Sequence, residues 1–320
     1  MDIFEFRENL IKDYADYLFS FIHIKDQSIN DLVEQARKEE IFWPEPLLQL
    51  NPRFKQGKSV DELVQAGYLH ERCKSIFRVN KSDDSDGERL QLHLHQEQAI
   101  INANKEESYV LTTGTGSGKS LTYIIPIVNH VLQNPHLQGI QALIIYPMNA
   151  LANSQEEELK KFLCGQDEGS VTFKRYTGQE SHEERIQIIN NPPHILLTNY
   201  VMLELMLTRP TEIPLIQRAN SLKFLVLDEL HTYRGRQGSD VSLLMRRLRD
   251  RTFWNPICVG TSATLAGSPT LQQQQREVSD VASRIFGVNI HPQNVISETL
   301  TSITNQREID TTAFLEQLRN

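Results

Sequence analysis

The chain has 320 residues, of which 39% are apolar and 23% charged, and a formal net charge of −8. That balance suits a globular protein with room for one large domain and a smaller one, and no run of about 18 apolar residues is present to span a membrane. The acidic excess argues against charge-driven coating of nucleic acid by the whole chain, but it leaves room for a local basic track. Asp2 and Glu5 stand where a secretory leader would be basic and then apolar. Cys73, Cys164 and Cys258 are few and scattered, without the paired spacing of a zinc site. This usage suits a reducing compartment, so a cytoplasmic placement is expected. His70 and Cys73 form a lone His-x-x-Cys, better read as ordinary helix-surface residues than as half a metal site.

Residues 1–78 suggest a helical module. Ile3, Phe6, Leu10, Tyr14, Tyr17 and Phe21 recur at three- and four-residue steps, as one buried helix face would. The Trp43-Pro44-Glu45-Pro46 stretch breaks that pattern, and a further helix is expected around Asp61–Val64. No chemistry is evident in this module, and docking or packing is its simplest role. The polar stretch 79–90 is expected to be a linker. The only low-complexity run, Gln272 to Gln275, is too short to interpret.

From residue 91 the rhythm changes. Apolar runs at 109–112, 142–146, 171–176, 194–198, 224–227 and 257–260 predict strands. Helical patterns at 120–132, 150–162, 183–189 and 240–249 lie between them. This alternation predicts an α/β fold, a parallel sheet flanked by helices, over residues 91–300. Ligands bind such sheets at the C-terminal ends of the strands. Helical runs at 278–286 and 311–318 and a strand-like 288–290 complete the reading.

Two motifs fall at those strand ends. Thr113-Gly114-Thr115-Gly116-Ser117-Gly118-Lys119-Ser120 follows a strand and precedes a helix. Its glycines let the backbone N–H groups turn inward on phosphates, with a helix N-terminus behind them. Lys119 would reach the β- and γ-phosphates of ATP, and Ser120 would bind Mg2+. Thr113 departs from the strict Gly-x4-Gly-Lys-[Ser/Thr] pattern, which has Gly there. Asp228 follows the apolar run Phe224-Leu225-Val226-Leu227 and can hold Mg2+ through water. Glu229 can orient the attacking water and take its proton. Gln96, some twenty residues before the loop, carries an amide able to match the adenine edge and so select ATP.

Together with Tyr146-Pro147-Met148-Asn149-Ala150-Leu151, Tyr176-Thr177-Gly178, Leu197-Thr198-Asn199, Asp228-Glu229-Leu230-His231 and Ser262-Ala263-Thr264, these stretches resemble the superfamily 2 DExH-box helicases. The resemblance covers roughly residues 90–290. The run His231-Thr232-Tyr233-Arg234-Gly235, with Gly238-Ser239 and Arg246-Arg247-Leu248-Arg249, is similar to the bacterial MrfA branch and its RecQ4-like eukaryotic relatives. Large phage-defence helicases share this style. The resemblance implies a RecA-like fold and a catalytic set of Lys119, Asp228, Glu229 and His231. It makes Ser262 and Thr264 the relay between nucleotide and nucleic acid. Pro147, Asn149, Gly178, Gln179, Thr198, Asn199 and Arg234 would line the nucleic-acid track, with Arg236 adding charge. DNA is favoured over RNA. Arg246, Arg247, Arg249 and Arg251 fit a solvated helix face better than the track. Leu230 stands where the family usually has Ala, and its bulk would tighten packing beside the carboxylates.

The motifs all belong to the first of two lobes that enclose ATP in such helicases. No second rhythm of the same kind follows Thr264. Residues 301–320 are therefore expected to lead towards a second RecA-like lobe, in a longer chain or in a partner. The competing readings are a nucleotide-switched binding module and a P-loop NTPase of another kind, such as a kinase. Lys119, Asp228 and Glu229 together disfavour the first, and Gln96 with Ser262-Ala263-Thr264 disfavours the second.

Overall fold

The structure is a computed structural model that describes residues 2–21, 24–38, 52–81, 85, 87–114, 116–163, 171–219, 221–252, 255–263 and 270–302. Its contacts divide the chain into two units, Met1–Asn51 and Pro52–Asn320.

The first unit contributes helices α1 (Ile3–Ser20) and α2 (Gln27–Lys38). Asp2 caps α1 by accepting a hydrogen bond from the Phe4 backbone N–H at 2.9 Å. The apolar stripe expected to be buried is instead exposed: Phe6 by 47%, Leu10 by 57%, Tyr17 by 61% and Phe21 by 70%. So short a unit has too little interior to cover a stripe of that width. The Trp43-Pro44 turn lies outside the described residues.

The second unit begins well before the expected boundary at residue 78. Strand β1 (Gln56–Ser59) leads into α3 (Val60–Gln65), which Ser59 and Glu62 cap reciprocally. Helix α4 (Cys73–Ile76) follows. Val60, Leu63, Cys73, Ile76 and Phe77 lie in one core with Tyr109 and Leu111 of the main sheet. Apolar surface unites these residues with the α/β body although their sequence rhythm differs. Cys73 is fully buried, contrary to the helix-surface expectation, and burial pushes its thiol up to about 12. The expected linker includes an antiparallel pair, β2 (Arg78–Val79) with β3 (Glu88–Arg89). Arg78 ties this pair to Asp61 of α3 at 3.0 Å.

Strand β4 (Gln91–His93) pairs antiparallel with β1 and opens into α5 (Leu94–Asn104). The α/β alternation then runs β5 (Tyr109–Thr112), α6 (Leu121–Gln133), β6 (Ala142–Tyr146), α7 (Asn149–Leu163), β7 (Phe173–Tyr176) and α8 (His182–Asn190). It continues with β8 (Ile195–Asn199), α9 (Tyr200–Thr208), α10 (Ile213–Gln217), β9 (Phe224–Leu227), α11 (Gly235–Arg251), β10 (Ile257–Ser262), α12 (Leu271–Phe286) and β11 (Val295–Ser297).

Seven strands form one parallel sheet in the order β11-β5-β10-β9-β6-β8-β7. Every residue of β5, β6, β8, β9 and β10 is buried, as a sheet covered on both faces requires. Buried clusters lie on its two faces, one holding Leu111, Ile144 and Val226, the other Val110, Leu143 and Leu225. The segment 288–290 is not a strand. Gly287 ends α12 in the left-handed conformation, and pairing with β5 begins only at Val295, where the chain runs parallel to it. Residues 311–318 lie outside the described residues.

Candidate nucleotide site and strand-end loops

Because all seven strands are parallel, every predicted loop leaves the sheet at the same end. The strand order then sorts the loops into two groups. β5, β10 and β9 are neighbours, so the Gly-rich loop, residues 261–262 and Asp228 converge. β6, β8 and β7 are neighbours, so residues 147–149, 198–199 and 176–178 converge beside them.

In the first group, Gly116 and Gly118 adopt positive φ of 79° and 70°. Gly118 is also short of space, since a Cβ there would lie 2.5 Å from Gln96 Nε2. Gln96 is buried and spends both ends of its amide inside the protein. Oε1 accepts from the His93 N–H at 2.8 Å, and Nε2 donates to Gly118 O at 3.0 Å. In this arrangement the amide braces the loop, with a second N–H and a second lone pair left over. His95, also buried, sets Nε2 2.9 Å from Ser117 O. Thr113, where the strict pattern has Gly, lies 2.6 Å from Ser117 by their hydroxyls, so the departure ties the loop's first residue to its crest. Thr115 lies outside the described residues.

Lys119 reaches across to Glu229, with Nζ 3.5 Å from Oε1. The other Glu229 oxygen is 3.3 Å from His231 Nδ1, which is itself 3.3 Å from Ser262 Oγ. Lys119 Nζ and Glu229 Oε2 are buried yet make no hydrogen bond. A buried ammonium and carboxylate with spare capacity fit an anionic phosphate and a polarised water. Asp228 is held by the Thr261 hydroxyl, which donates to Oδ1. Burial raises its carboxyl above the ordinary range, while the Thr261 hydrogen bond and the Lys119 charge oppose that rise. Its second oxygen, with the Ser120 hydroxyl at the start of α6, fits a hard cation such as Mg2+, which protein sites commonly bind through one or two carboxylates plus substrate phosphates. Glu229 sits in the left-handed region with φ of 53°, a conformation that costs a non-glycine residue about 1–2 kcal/mol. Its N–H donates to Thr261 Oγ1 at 3.1 Å, and its C=O accepts from the Thr232 N–H at 2.9 Å. Leu230 lies against Gly260, where a Cβ would come within 2.2 Å of Leu230 Cδ1. The bulk at 230 is accommodated because β10 carries a glycine beneath it.

In the second group the loop residues bond mainly to one another. Asn199 donates to Asn149 Oδ1 at 2.6 Å and to Thr177 O at 3.2 Å, and its own Oδ1 caps α9 by accepting from the Met202 N–H. Thr198 is fully buried and donates to Tyr176 O at 2.7 Å. The Gly178 amide donates to Glu180 Oε2 at 2.8 Å, as does the Thr177 amide. Thr198 and Asn199 therefore shape the loops from within. Gly178, Gln179, Met148 and Arg234 are exposed, and Pro147 and Asn149 partly so.

The DEAD/DEAH box helicase family matches residues 93–272, more than half of the sequence. The chain belongs to that family. It is similar to the ATP-dependent helicase YprA of Bacillus subtilis, with 31% identity over 78% of this chain and 31% of that protein. It is also similar to the ATP-dependent helicase HRQ1 of Saccharomyces cerevisiae, with 33% identity over 50% of this chain and 15% of that protein. Among solved structures, the DUF1998 helicase MrfA bound to DNA superposes with a TM-score of 0.61 at 26% identity, over 81% of this chain and 31% of the other. The chain thus spans about a third or less of the length of these relatives.

Within this helicase domain, three residues of the nucleotide region went unrecognised in the sequence. Thr261 binds Asp228 and Glu229 together, His95 braces Ser117, and Glu298 accepts from the Gly114 N–H at 2.9 Å. Only the adjacency of β10 and β9 reveals the first. A histidine one residue before Gln96 was a visible signal for the second. Thr264 lies outside the described residues. Arg246, Arg247 and Arg251 are exposed and Arg249 partly so, as a solvated helix face would be, but Arg246 and Arg249 also bond to backbone. Their guanidinium groups donate to Arg284 O, Phe286 O and Gly287 O, the carbonyls that end α12. Arg247 pairs with Glu204 at 2.6 Å. Among the described residues, no helix is long and apolar enough to cross a membrane.

Proposed function

We propose that this chain is the ATP-binding lobe of an ATP-dependent helicase or translocase that moves along nucleic acid, with DNA favoured over RNA. The observation that carries this reading is the facing pair Lys119 and Glu229, partly exposed side chains that each hold a buried polar atom without a hydrogen bond at the C-terminal ends of β5 and β9. Lys119 would neutralise the terminal phosphates of ATP, and Ser120 with Asp228 would hold Mg2+. Glu229 would take the proton of the attacking water, its position set by Thr261 and His231. Ser262, through His231, would pass the nucleotide's state towards the strand-end loops, with Thr264 as its expected partner. Pro147, Asn149, Gly178, Gln179 and Arg234 remain our candidates for the nucleic-acid face, and the DNA-bound MrfA likeness supports DNA as the ligand.

A second RecA-like lobe, in a longer chain or a partner, would complete the engine, a reading supported by the greater length of the relatives. The domain division we favour is a helical module, this lobe and a connection onward. The buried free thiols of Cys73 and Cys258 suit a cytoplasmic setting. If the second lobe supplies an arginine to the γ-phosphate, its contribution would be about 10³–10⁵ in rate, so turnover should rise when the lobe is supplied.

The test is ATP hydrolysis with and without single-stranded DNA, beside Lys119→Ala and Glu229→Gln. Slow, Lys119-dependent turnover that rises when the second lobe is supplied is the expected result. Glu229→Gln should retain ATP and lose turnover. If ATP binding is indifferent to Lys119, the site is misassigned. If Glu229→Gln leaves function untouched, the alternative of a nucleotide-switched binding module takes its place.

A further inference from the structure

The mechanism above leaves one charged contact with the Gly-rich loop unused. Strand β11 pairs in parallel with β5 at the sheet edge, Ser297 beside Thr112. The next residue, Glu298, is exposed and sets Oε2 2.9 Å from the Gly114 nitrogen, whose N–H it accepts. The chain then runs antiparallel to residues 53–55. Thr299 O accepts from the Lys55 N–H at 2.7 Å, Leu300 bridges to Phe54, and the Thr301 N–H donates to Arg53 O at 2.8 Å. Residues 53–55 are in turn fastened to α5: Lys55 O accepts from the Leu94 N–H, and the Phe54 ring lies 5.2 Å from His93 and 5.6 Å from His95. His95 and Gln96 hold Ser117 and Gly118. The loop is therefore clamped at both ends by one continuous strap, with Glu298 at one end and His95 with Gln96 at the other.

We propose that Glu298 is a positioning residue of the nucleotide site, resting on the reading of that loop as the ATP site. It acts in two opposed ways. As an ionised acceptor it makes the stronger kind of hydrogen bond to a backbone amide, and so fixes the first turn of the loop. As a negative charge beside a loop that receives a polyphosphate, it holds nucleotide affinity down. Space is not the issue at this contact, since a Cβ on Gly114 would stand 3.5 Å from Glu298 Oε2, an ordinary distance. The carboxylate is exposed, so its repulsion is partly screened and falls with salt.

Glu298→Gln separates the two actions, because the amide oxygen can still accept from Gly114 while the charge is gone. Glu298→Ala removes both. The experiment is titration of the full chain with a fluorescent ATP analogue and Mg2+ at low and high salt, with hydrogen exchange of peptides covering residues 109–120 in the nucleotide-free protein. Glu298→Gln should bind about threefold more tightly than wild type at low salt, with the gain shrinking at high salt. Its exchange should match wild type, whereas Glu298→Ala should exchange faster and bind less tightly than the Gln variant. The proposal is overturned if both variants bind and exchange like wild type, or if Glu298→Gln weakens binding as much as Glu298→Ala does. Should wild type bind no better than Lys119→Ala, the ATP reading has failed. The exchange data then stand by themselves, and unchanged exchange in Glu298→Ala removes the brace as well.

Discussion

The two halves of the strand-end surface are built on opposite plans. Around β5, β10 and β9, side chains are held rigidly but left with capacity to spare, as Lys119 Nζ and Glu229 Oε2 are. Around β6, β8 and β7, the polar loop side chains mostly satisfy one another: Asn199 with Asn149, Thr198 with Tyr176 O, and Glu180 with the Thr177 and Gly178 amides. The buried hydroxyls left over there are the tyrosines Tyr146 and Tyr176 rather than charged groups. A site that must stabilise charge needs unused polar atoms in fixed positions, since preorganised groups need no rearrangement at the moment of reaction. The strand-gripping surface proposed for the other half would need loops of fixed shape, which its inward-bonded side chains would supply.

The sharpest break in this comparison comes from Thr261. Thr261→Val keeps the volume and removes the hydroxyl that binds Asp228 and accepts the strained Glu229 N–H. Leaving a buried group unsatisfied costs about 1–3 kcal/mol, which corresponds to about 10–100-fold in turnover if the loss falls on the transition state. Steady-state kinetics should show the fall in kcat with nucleotide affinity little changed. An equal loss of affinity would mean that Thr261 merely supports the fold.

Gly260 tests whether Leu230 is part of the same rigid half. Gly260→Ala places a methyl against Leu230 and should cost about 1–3 kcal/mol by overpacking. Most of that penalty should vanish in a Leu230→Ala background, measured as the coupling energy in urea unfolding. Additive effects would show that the side chain moves aside freely.

On the other half, Glu180→Ala frees the Thr177 and Gly178 amides and loosens their loop. Single-stranded DNA binding should weaken about fivefold, the equivalent of about 1 kcal/mol of hydrogen bonding, while nucleotide affinity stays put. Tighter DNA binding would instead mean that the amides themselves hold phosphate and that the carboxylate blocks them.

A pH effect belongs to neither half. His130 packs against Phe224 at the start of β9, and burial pushes its pKa down to about 4. The unfolded chain, with a histidine near 6.5, takes up the proton first. Stability therefore falls as pH drops from 6.5 towards about 4, by about 1–2 kcal/mol once partial solvent access is allowed for. His130→Phe should flatten that part of the urea midpoint against pH profile. No difference between the variant and wild type would place the acid sensitivity elsewhere.

The sequence alone determined the parallel α/β body and the location of its nucleotide loop. Buried strands are continuous apolar runs, and a phosphate loop needs glycines and a lysine at fixed spacing, so both are local properties of the chain. Lys119, Asp228, Glu229, His231 and Ser262 were legible for that reason, and the structure brings them together. Tertiary structure decided what local pattern cannot hold. It drew residues 52–79 into the main core, because burial takes apolar surface from any distance along the chain. It made β11 a partner of β5 about 185 residues away, which alone brings Glu298 to Gly114. It set Thr261 against Asp228 through the adjacency of β10 and β9. It also turned Thr198 and Asn199 from expected track residues into internal fastenings, and it set the solvent-facing Arg246 and Arg249 on the carbonyls that end α12, because a buried or helix-ending backbone group takes the nearest donor or acceptor the fold supplies.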